Sequence, residues 1–171
     1  MRTMNRNGIV VAVAALAVAV LAGCSGTPDP AATVETADPA ATRPAGPDLD
    51  ANTALVTAFY DAAINQKDYE AASKYLGERY IQHNPTAPDG PEGLKGFIDF
   101  LKARFPEQKN AITRVIAQGD LVALHVHSTR GDGTPGRAIV DIFRVENGKV
   151  VEHWDVIQDI PGEAANTNGM F

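Results

Sequence analysis

The stretch GKVVEHWDVIQDI, residues 148–160, decides the fold class of this chain. Its valines and isoleucines alternate with polar residues, which is the pattern of a β-strand with one buried face. His153, Trp154 and Asp155 stand side by side in its middle. Because burying polar and ionisable groups costs free energy, we expect this strand to carry part of a functional site as well as part of the core.

Three further segments before this strand also have period two. The turn sequences QGD, RGDGTPG and ENG separate them. Gly, Asn and Asp between alternating segments indicate hairpin turns. The sequence therefore predicts a four-stranded antiparallel meander, with strands at 110–118, 121–129, 137–145 and 149–158.

The region before the strands has the helical period instead. Residues 48–80 carry apolar side chains at helical spacing, interrupted at 65–68, and residues 90–106 carry a third such stripe. The helical stripes comprise Leu55, Ala58, Phe59, Ala62 and Ala63; Tyr69, Ala72, Tyr75 and Leu76; and Leu94, Phe97, Ile98 and Leu101. Three helices followed by strands predict an α+β fold, with the helices packed on one concave face of a curved antiparallel sheet.

The N-terminus has the pattern of an export signal. Arg2 and Arg6 precede an apolar segment, residues 8–23, that is shorter than the roughly 20 residues a membrane-spanning helix needs. The segment ends in LAGC, which resembles a bacterial lipobox, with Cys24 as the lipidated residue and the only cysteine of the chain. We therefore expect an exported protein, lipid-anchored at the cell membrane or outer envelope.

This gives three predicted parts. Residues 1–23 are a lipoprotein signal peptide, and residues 24–48 are a disordered tether of Pro, Ala and Thr. Residues 49–171 form the folded domain. The formal net charge of −6 argues against a nucleic-acid partner, since phosphate binding needs a basic surface. The sequence also lacks a phosphate-binding loop, a CxxC pair and a Gly-x-Ser-x-Gly elbow.

Polar residues interrupt the predicted domain in four places. These are His83 with Asn84, His125 with His127, Asp141 among apolar neighbours, and the His153–Asp155 group. A carboxylate in an apolar strand needs water, a partner or a proton. Taken together, these residues predict one polar pocket for a small molecule.

The register of the last hairpin decides which of them share a face. If Asn147-Gly148 is a tight turn, Asp141 lies opposite Trp154, and Asp155 points away from it. If ENG is a longer, bulged loop, Asp141 lies opposite His153, and Asp155 shares its face. A pocket containing both aspartates needs that loop or another bulge farther along.

Metal binding is the alternative use of the histidines. His125-Val126-His127 fits a His-x-His metal site of the cupin type, with His153 as a third ligand. A cupin would place a glutamate a few residues farther on, where this chain has Ser128 to Gly131. The expectation is therefore a site without metal or cofactor.

Four stretches together resemble the SnoaL-like polyketide cyclases of the nuclear transport factor 2-like superfamily, in the predicted aldol-condensation branch. They are YIQHNP, DGPEGLKGFIDFL, IVDIFRVENGKVVEHWDVIQ and NTNGMF. The resemblance implies a cone-shaped α+β barrel over residues 49–171. It also implies an aldol closure in which a strand aspartate removes a proton next to a carbonyl group.

By position, Asp155 matches that aspartate and Asn84 matches an asparagine of the family, whereas Asp141 stands where the cyclases have a histidine. Our hypothesis is cofactor-free acid/base chemistry on an apolar carbonyl compound, with Asp155 as the base and Asp141 beside it. His83 or His127 would polarise the carbonyl group, Trp154 would form an apolar wall, and Asn84, His125 and His153 would contact the substrate.

The alternative is a non-catalytic lipoprotein that binds a small ligand or a partner. A homodimer through the convex sheet face, as is common in the superfamily, is also plausible.

Overall fold

The computed structural model describes residues 48–171. The predicted signal peptide, Cys24 and the tether up to residue 47 lie outside the described residues. Asp48, predicted as the last tether residue, is the N-cap of the first helix, and its carboxylate accepts a hydrogen bond of 3.0 Å from the Ala51 N–H. Within the described part, no helix is both long and apolar enough to cross a membrane.

The domain contains three α-helices and five strands. The helices are α1 (Leu49–Tyr60), α2 (Tyr69–Ser73) and α3 (Gly90–Arg104), and a π-helical turn (Asp61–Asn65) continues α1. The strands are β1 (Leu76–Gln82), β2 (Lys109–Gln118), β3 (Leu121–Thr129), β4 (Arg137–Glu146) and β5 (Lys149–Asp159). The predicted fold class and all four predicted strands are therefore present.

The fifth strand was not predicted. The helical spacing in the sequence continues through Tyr75 and Leu76, but α2 ends at Ser73 and β1 begins at Leu76. β1 is an edge strand that runs parallel to β5, so that the sheet order is β1-β5-β4-β3-β2 and the sheet is mixed. A parallel partner more than 70 residues away leaves no local pattern in a sequence, which is why the interpretation as an all-antiparallel meander was wrong.

The β4–β5 hairpin combines a tight turn with a bulge. Asn147 and Gly148 both have positive φ values, 52° and 69°, as a two-residue type I′ turn requires. Val145 pairs with Val150, but Arg144 pairs with Glu152, so that Val151 is one extra residue in β5. Beyond this bulge Asp141 pairs directly with Asp155. The hairpin therefore has the tight turn together with a bulge farther along β5, the last of the arrangements considered from the sequence.

The core lies between the helices and the concave face of the sheet. Phe59 of α1 packs edge-on against Phe143 of β4, with ring centroids 5.6 Å apart, and Tyr60 packs against the same ring at 6.3 Å. Val122, Leu124 and Val126 of β3 are fully buried beneath the helices. This packing fixes α1 across the sheet and leaves a cavity between the sheet, α1 and α3.

Close contact between α3 and the loop before it depends on Gly93. A Cβ atom at this position would lie 2.2 Å from the Pro88 carbonyl oxygen, whereas a Cβ at Gly96, one turn along the same helix, would meet nothing within 4 Å. Gly93 therefore lets the 83–89 loop pack directly on the helix. This loop carries one of the cavity's polar residues, Asn84.

We predict opposite effects of alanine at these two glycines. Gly93→Ala should lower the free energy of unfolding by about 1–3 kcal/mol, because the backbone of Pro88 must move. Gly96→Ala should raise it by about 0.5–1 kcal/mol, because alanine favours an exposed helix position. Urea unfolding followed by circular dichroism measures both. Equal effects of the two substitutions would contradict the packing described.

Candidate functional site

A cavity of about 210 Å³ opens between the sheet, α1 and α3. It is large enough for a small organic molecule rather than a single water. Aromatic and aliphatic side chains form most of its wall, and a group of polar side chains lies on the strands and the 83–89 loop. The polar lining residues are Tyr60, Tyr80, Gln82, Asn84, Thr86, Gln108, Asn110, Arg130, Arg137, Asp141, His153 and Asp155. A mostly apolar cavity with a few convergent polar groups is the usual form of a ligand site.

Three side chains, those of Gln82, His153 and Asp141, form a hydrogen-bonded chain at this cavity. His153 Nδ1 lies 2.9 Å from Gln82 Oε1, and His153 Nε2 lies 3.1 Å from Asp141 Oδ1. Asp141 and His153 are both buried. The ring of His153 also stacks on Phe143 at 4.7 Å, which fixes its plane.

The positions of the protons along these hydrogen bonds follow from a further contact of Gln82 with the backbone of Asn84. Gln82 Oε1 also accepts a hydrogen bond of 2.9 Å from the Asn84 backbone N–H, so the amide atom facing His153 must be the oxygen. His153 Nδ1 must therefore donate to it. Since Nδ1 carries a proton, one further proton lies between Nε2 and Asp141. In either position of that proton, the Asp141–His153 pair has no net charge.

Asp155 is held by a different set of contacts. Asn84 Nδ2 donates to Asp155 Oδ2 at 2.6 Å. The Thr86 backbone N–H and its hydroxyl donate to Asn84 Oδ1 at 2.8 Å and 2.7 Å, which orients the Asn84 amide with its nitrogen toward Asp155. Asp155 is thereby aimed into the cavity while remaining less buried than Asp141.

Burial dominates the electrostatics around Asp141. It raises the pKa of the Asp141 carboxyl, and hydrogen bonding to His153 only partly offsets this. The Tyr60 hydroxyl approaches the same carboxyl and, like His153, favours its charged form. Burial, reinforced by the charge of Asp141, also raises the pKa of Tyr60 well above its usual value, so this hydroxyl stays a hydrogen-bond donor at neutral pH.

Two of the predicted site residues, His83 and Trp154, do not line the cavity. The side chains of His83 and Trp154 stack on each other, with centroids 4.7 Å apart and planes 5° from parallel. His83 Nε2 also contacts Glu152 Oε1 at 2.8 Å. Trp154 alternates with His153 and Asp155 along β5 and so faces away from the cavity. The expectations that His83 polarises a carbonyl group there and that Trp154 forms a cavity wall are therefore wrong.

His125 and His127 also face away from the cavity. They alternate along β3 with fully buried residues, so both side chains lie on the outer face of the sheet. Both stack on Phe171, at 5.1 Å and 4.6 Å. Neither can contact a cavity ligand, and neither can share a metal ion with His153 across the sheet. The prediction that the four histidines meet in one pocket was wrong because period two separates the two faces.

The cavity residues that the sequence did not reveal come from several elements. Gln82 lies on the unpredicted strand, and Arg130 and Arg137 flank a turn. Phe97 and Phe100 lie at the cavity and are exposed rather than core residues of α3. The one usable signal in the sequence is the pair of arginines at the two ends of this turn, Arg130 as the first residue of RGDGTPG and Arg137 directly after it.

A cation could be held by the three ionisable groups on β4 and β5. Ligand atoms of Asp141, His153 and Asp155 all lie within 4.8 Å of one another. Both ring nitrogens of His153 are already engaged, by Gln82 and Asp141. A metal ion would therefore compete with the proton shared between His153 and Asp141.

The chain is similar to several solved structures of the same architecture. TsrD from Streptomyces laurentii has 21% identity, a TM-score of 0.55, and coverage of 64% of this chain and 90% of that one. A candidate polyketide cyclase from Bacillus cereus has 23% identity, a TM-score of 0.55, and coverage of 63% and 74%. A candidate ketosteroid isomerase from Kribbella flavida has 20% identity, a TM-score of 0.54, and coverage of 70% and 86%. At these identities the similarity shows the fold.

No curated protein matches the chain. The sequence profile of the SnoaL-like domain matches residues 56–153, more than half of the chain and nearly all of the elements that surround the cavity. On this match and the shared fold, the chain belongs to the SnoaL-like domain family.

Proposed function

We propose that this SnoaL-like domain binds a small carbonyl compound and catalyses acid/base chemistry of the enolisation or aldol type without a cofactor. The observation that carries the proposal is the direct pairing of Asp141 with Asp155 at one largely apolar cavity. Two carboxyl groups in different surroundings are a recurrent way to provide an acid and a base at the same pH.

Asp155 is the base in this proposal. Its Oδ2 is held by Asn84, and the pair forms part of the cavity wall. Asp155 would remove a proton from the carbon next to a carbonyl group, so that the electron pair of the C–H bond forms an enolate. The Tyr60 hydroxyl, which stays protonated and approaches Asp141 in the free protein, would donate a hydrogen bond to the enolate oxygen instead.

The Asp141–His153 pair would then act as the acid that protonates the intermediate. Because it already holds one proton between two groups, it can donate that proton to the enolate oxygen or carbon, which leaves one negative charge on the pair. The proton that Asp155 took from the substrate would then pass to Asp141, which has a carboxylate oxygen within 4.8 Å of one of Asp155, so that both groups regain their starting state. In an aldol reaction the enolate carbon would attack a second carbonyl group, and the same pair would protonate the resulting alkoxide. The fold alone does not select between these reactions.

We predict that Asp155→Asn abolishes proton exchange next to a carbonyl group. Wild-type protein should catalyse deuterium incorporation into 2-tetralone in D₂O, followed by NMR, and the variant should lose about a hundredfold or more of the rate. Glu78→Gln, on the exposed side of β1, is the control and should keep the wild-type rate. Wild-type exchange by Asp155→Asn would remove Asp155 as the base. No exchange by the wild type would favour a ligand-binding protein without catalysis.

We also propose that the protein is exported and lipid-anchored at Cys24. The support is the LAGC sequence after an apolar leader and the Pro-, Ala- and Thr-rich segment that follows. Metabolic labelling with a palmitate analogue should modify the wild-type protein in a bacterial host, and Cys24→Ala should lose the label. A labelled Cys24→Ala variant would contradict this attachment site.

The outer face of the sheet supports a homodimer. Val140 and Val156 pair directly across β4 and β5 on this face and are 38% and 70% exposed, and Ile116 is 66% exposed. Adjacent exposed apolar side chains typically mark an interaction surface. Light scattering should give twice the chain mass for the wild type and the single mass for Val156→Asp. A monomeric wild-type protein would contradict the proposal.

A further inference from the structure

Two arginines at the cavity have no carboxylate oxygen within 4.0 Å among residues 48–171. Arg130 directly follows β3, and Arg137 opens β4 on the other side of the RGDGTPG turn. Both line the cavity, and both also border a second cavity next to the 132–136 loop. Their side chains therefore stand at the rim of the first cavity, at the end away from the turn at Asn147.

Neither guanidinium group is paired within residues 48–171. In this part of the chain no carboxylate oxygen lies within 4.0 Å of either, and neither side chain makes a hydrogen bond to another described residue. Arg130 Nε is buried and has no hydrogen-bond partner among the described residues. By contrast, Arg144 on the outer face contacts both Asp120 and Glu152, at 2.6 Å and 2.7 Å. A buried guanidinium N–H without an acceptor costs free energy, which an anionic ligand would recover.

Arg130 is also oriented for binding. Its guanidinium carbon lies 4.0 Å above the centre of the Phe105 ring. A guanidinium group stacked on an aromatic face keeps its N–H groups pointing outward in its own plane, where they match the two oxygens of a carboxylate. Stacking therefore holds the side chain without using its donors.

The cavity has an excess of positive charge although the whole chain carries −6. Among its lining residues, Arg130 and Arg137 supply two positive charges, Asp155 supplies one negative charge, and the Asp141–His153 pair adds none. Asp132 and Asp159 lie near the arginines on the side of the second cavity and do not line the first. Burial and the charge of Arg130 lower the pKa of Arg137, although Asp159 and Asp155 oppose this. The two cations are thus close and partly desolvated, and an anion between them would relieve their repulsion.

Apolar side chains line the space between the arginines and α3. Phe97 and Phe100 of α3 and Phe105 after it contribute aromatic surface, and Phe100 packs edge-on against Phe105 at 5.8 Å. Phe97 and Phe100 remain partly exposed at the cavity. Such a wall suits an apolar, preferably aromatic, ligand body whose charged end reaches the arginines.

We propose that Arg130 and Arg137 form a carboxylate-binding subsite, so that the ligand of this cavity is an apolar molecule with a carboxylate at one end. Combined with the proposed function, on which this part rests, the substrate class is a keto acid with its carbonyl group near Asp155. The carboxylate would lie at the Arg130 and Arg137 end of the cavity. The subsite itself requires only binding, not catalysis.

The test compares an acid with its uncharged amide. Binding of 4-phenylbutanoate and 4-phenylbutanamide to the purified protein is measured by calorimetry at pH 7.5 and low salt. Wild-type protein should bind the acid about tenfold or more tightly than the amide, as expected for charge-assisted hydrogen bonds. Arg130→Gln and Arg137→Gln should each remove most of that preference and leave amide binding unchanged.

Arg79→Gln is the matched control, because Arg79 is an exposed arginine of β1 that contacts only Glu146 among the described residues. It should keep the wild-type preference. A second measurement needs no variant: raising NaCl from 20 mM to 300 mM should weaken binding of the acid several-fold and leave the amide unaffected. Equal wild-type affinities for acid and amide, no binding of either, or a preference that survives both arginine substitutions would each overturn the subsite.

Asp155→Asn separates this inference from the proposed function. It should bind the acid at least as tightly as wild type, because one negative charge leaves the cavity. An acid preference that depends on the arginines, without proton exchange by the wild-type protein, would uphold the subsite and reject the catalysis. Proton exchange on 2-tetralone together with equal affinities for acid and amide would do the reverse.

Discussion

The site depends on one extra residue of β5, Val151, which lies between Val150 and Glu152. The type I′ turn at Asn147-Gly148 would by itself pair Asp141 with Trp154 and send Asp155 to the outer face. The bulge at Val151 shifts the pairing by one residue, so that Asp141 meets Asp155. Because strand side chains alternate, this single shift places His153 and Asp155 at the cavity and Trp154 outside it. Val150 and Val151 are both buried, and this hydrophobic burial holds the bulge in place.

Hydrogen bonding then gives the two aspartates different properties. Asp141 is buried at the wall of the cavity and shares a proton with His153, and the buried position raises its pKa. Asp155 accepts from an asparagine whose own orientation is fixed by the Thr86 N–H. Both networks pass through the segment from Gln82 to Thr86. The unpredicted edge strand β1 and the loop on Gly93 are therefore parts of the site and not only of the scaffold.

Much of the fold could be predicted from local patterns. The alternation in β2 to β5 and the helical stripes of α1 and α3 are properties of short segments, and the sequence contains them. β1 could not be predicted in this way, since its stability comes from a parallel partner far along the chain. Both aspartates could be identified as polar residues in apolar strands. Their pairing depends on the bulge at Val151, which no residue type in the sequence indicates. The prediction for His125 and His127 was wrong because residues i and i+2 of a strand share a face, but the sequence does not show whether that face is the inner or the outer one.

Arg130 and Arg137 are site residues that the sequence alone could not identify. In the sequence they flank a glycine-rich turn and look like solvated loop residues. Only the structure shows that the hairpin brings them to one cavity, with Arg130 over Phe105 and no acidic partner in residues 48–171. A missing partner is a property of three-dimensional contacts, so spacing alone cannot reveal it.

The most direct test of this account is the protonation state of the His153 ring. Two-dimensional ¹⁵N–¹H NMR of ¹⁵N-histidine-labelled protein at pH 7, with His153→Gln for assignment, reports which ring nitrogens carry a proton. The structure predicts a protonated Nδ1 facing Gln82 and a proton shared between Nε2 and Asp141. A neutral His153 protonated only at Nε2, with a bare Nδ1, would contradict the arrangement on which the site is built.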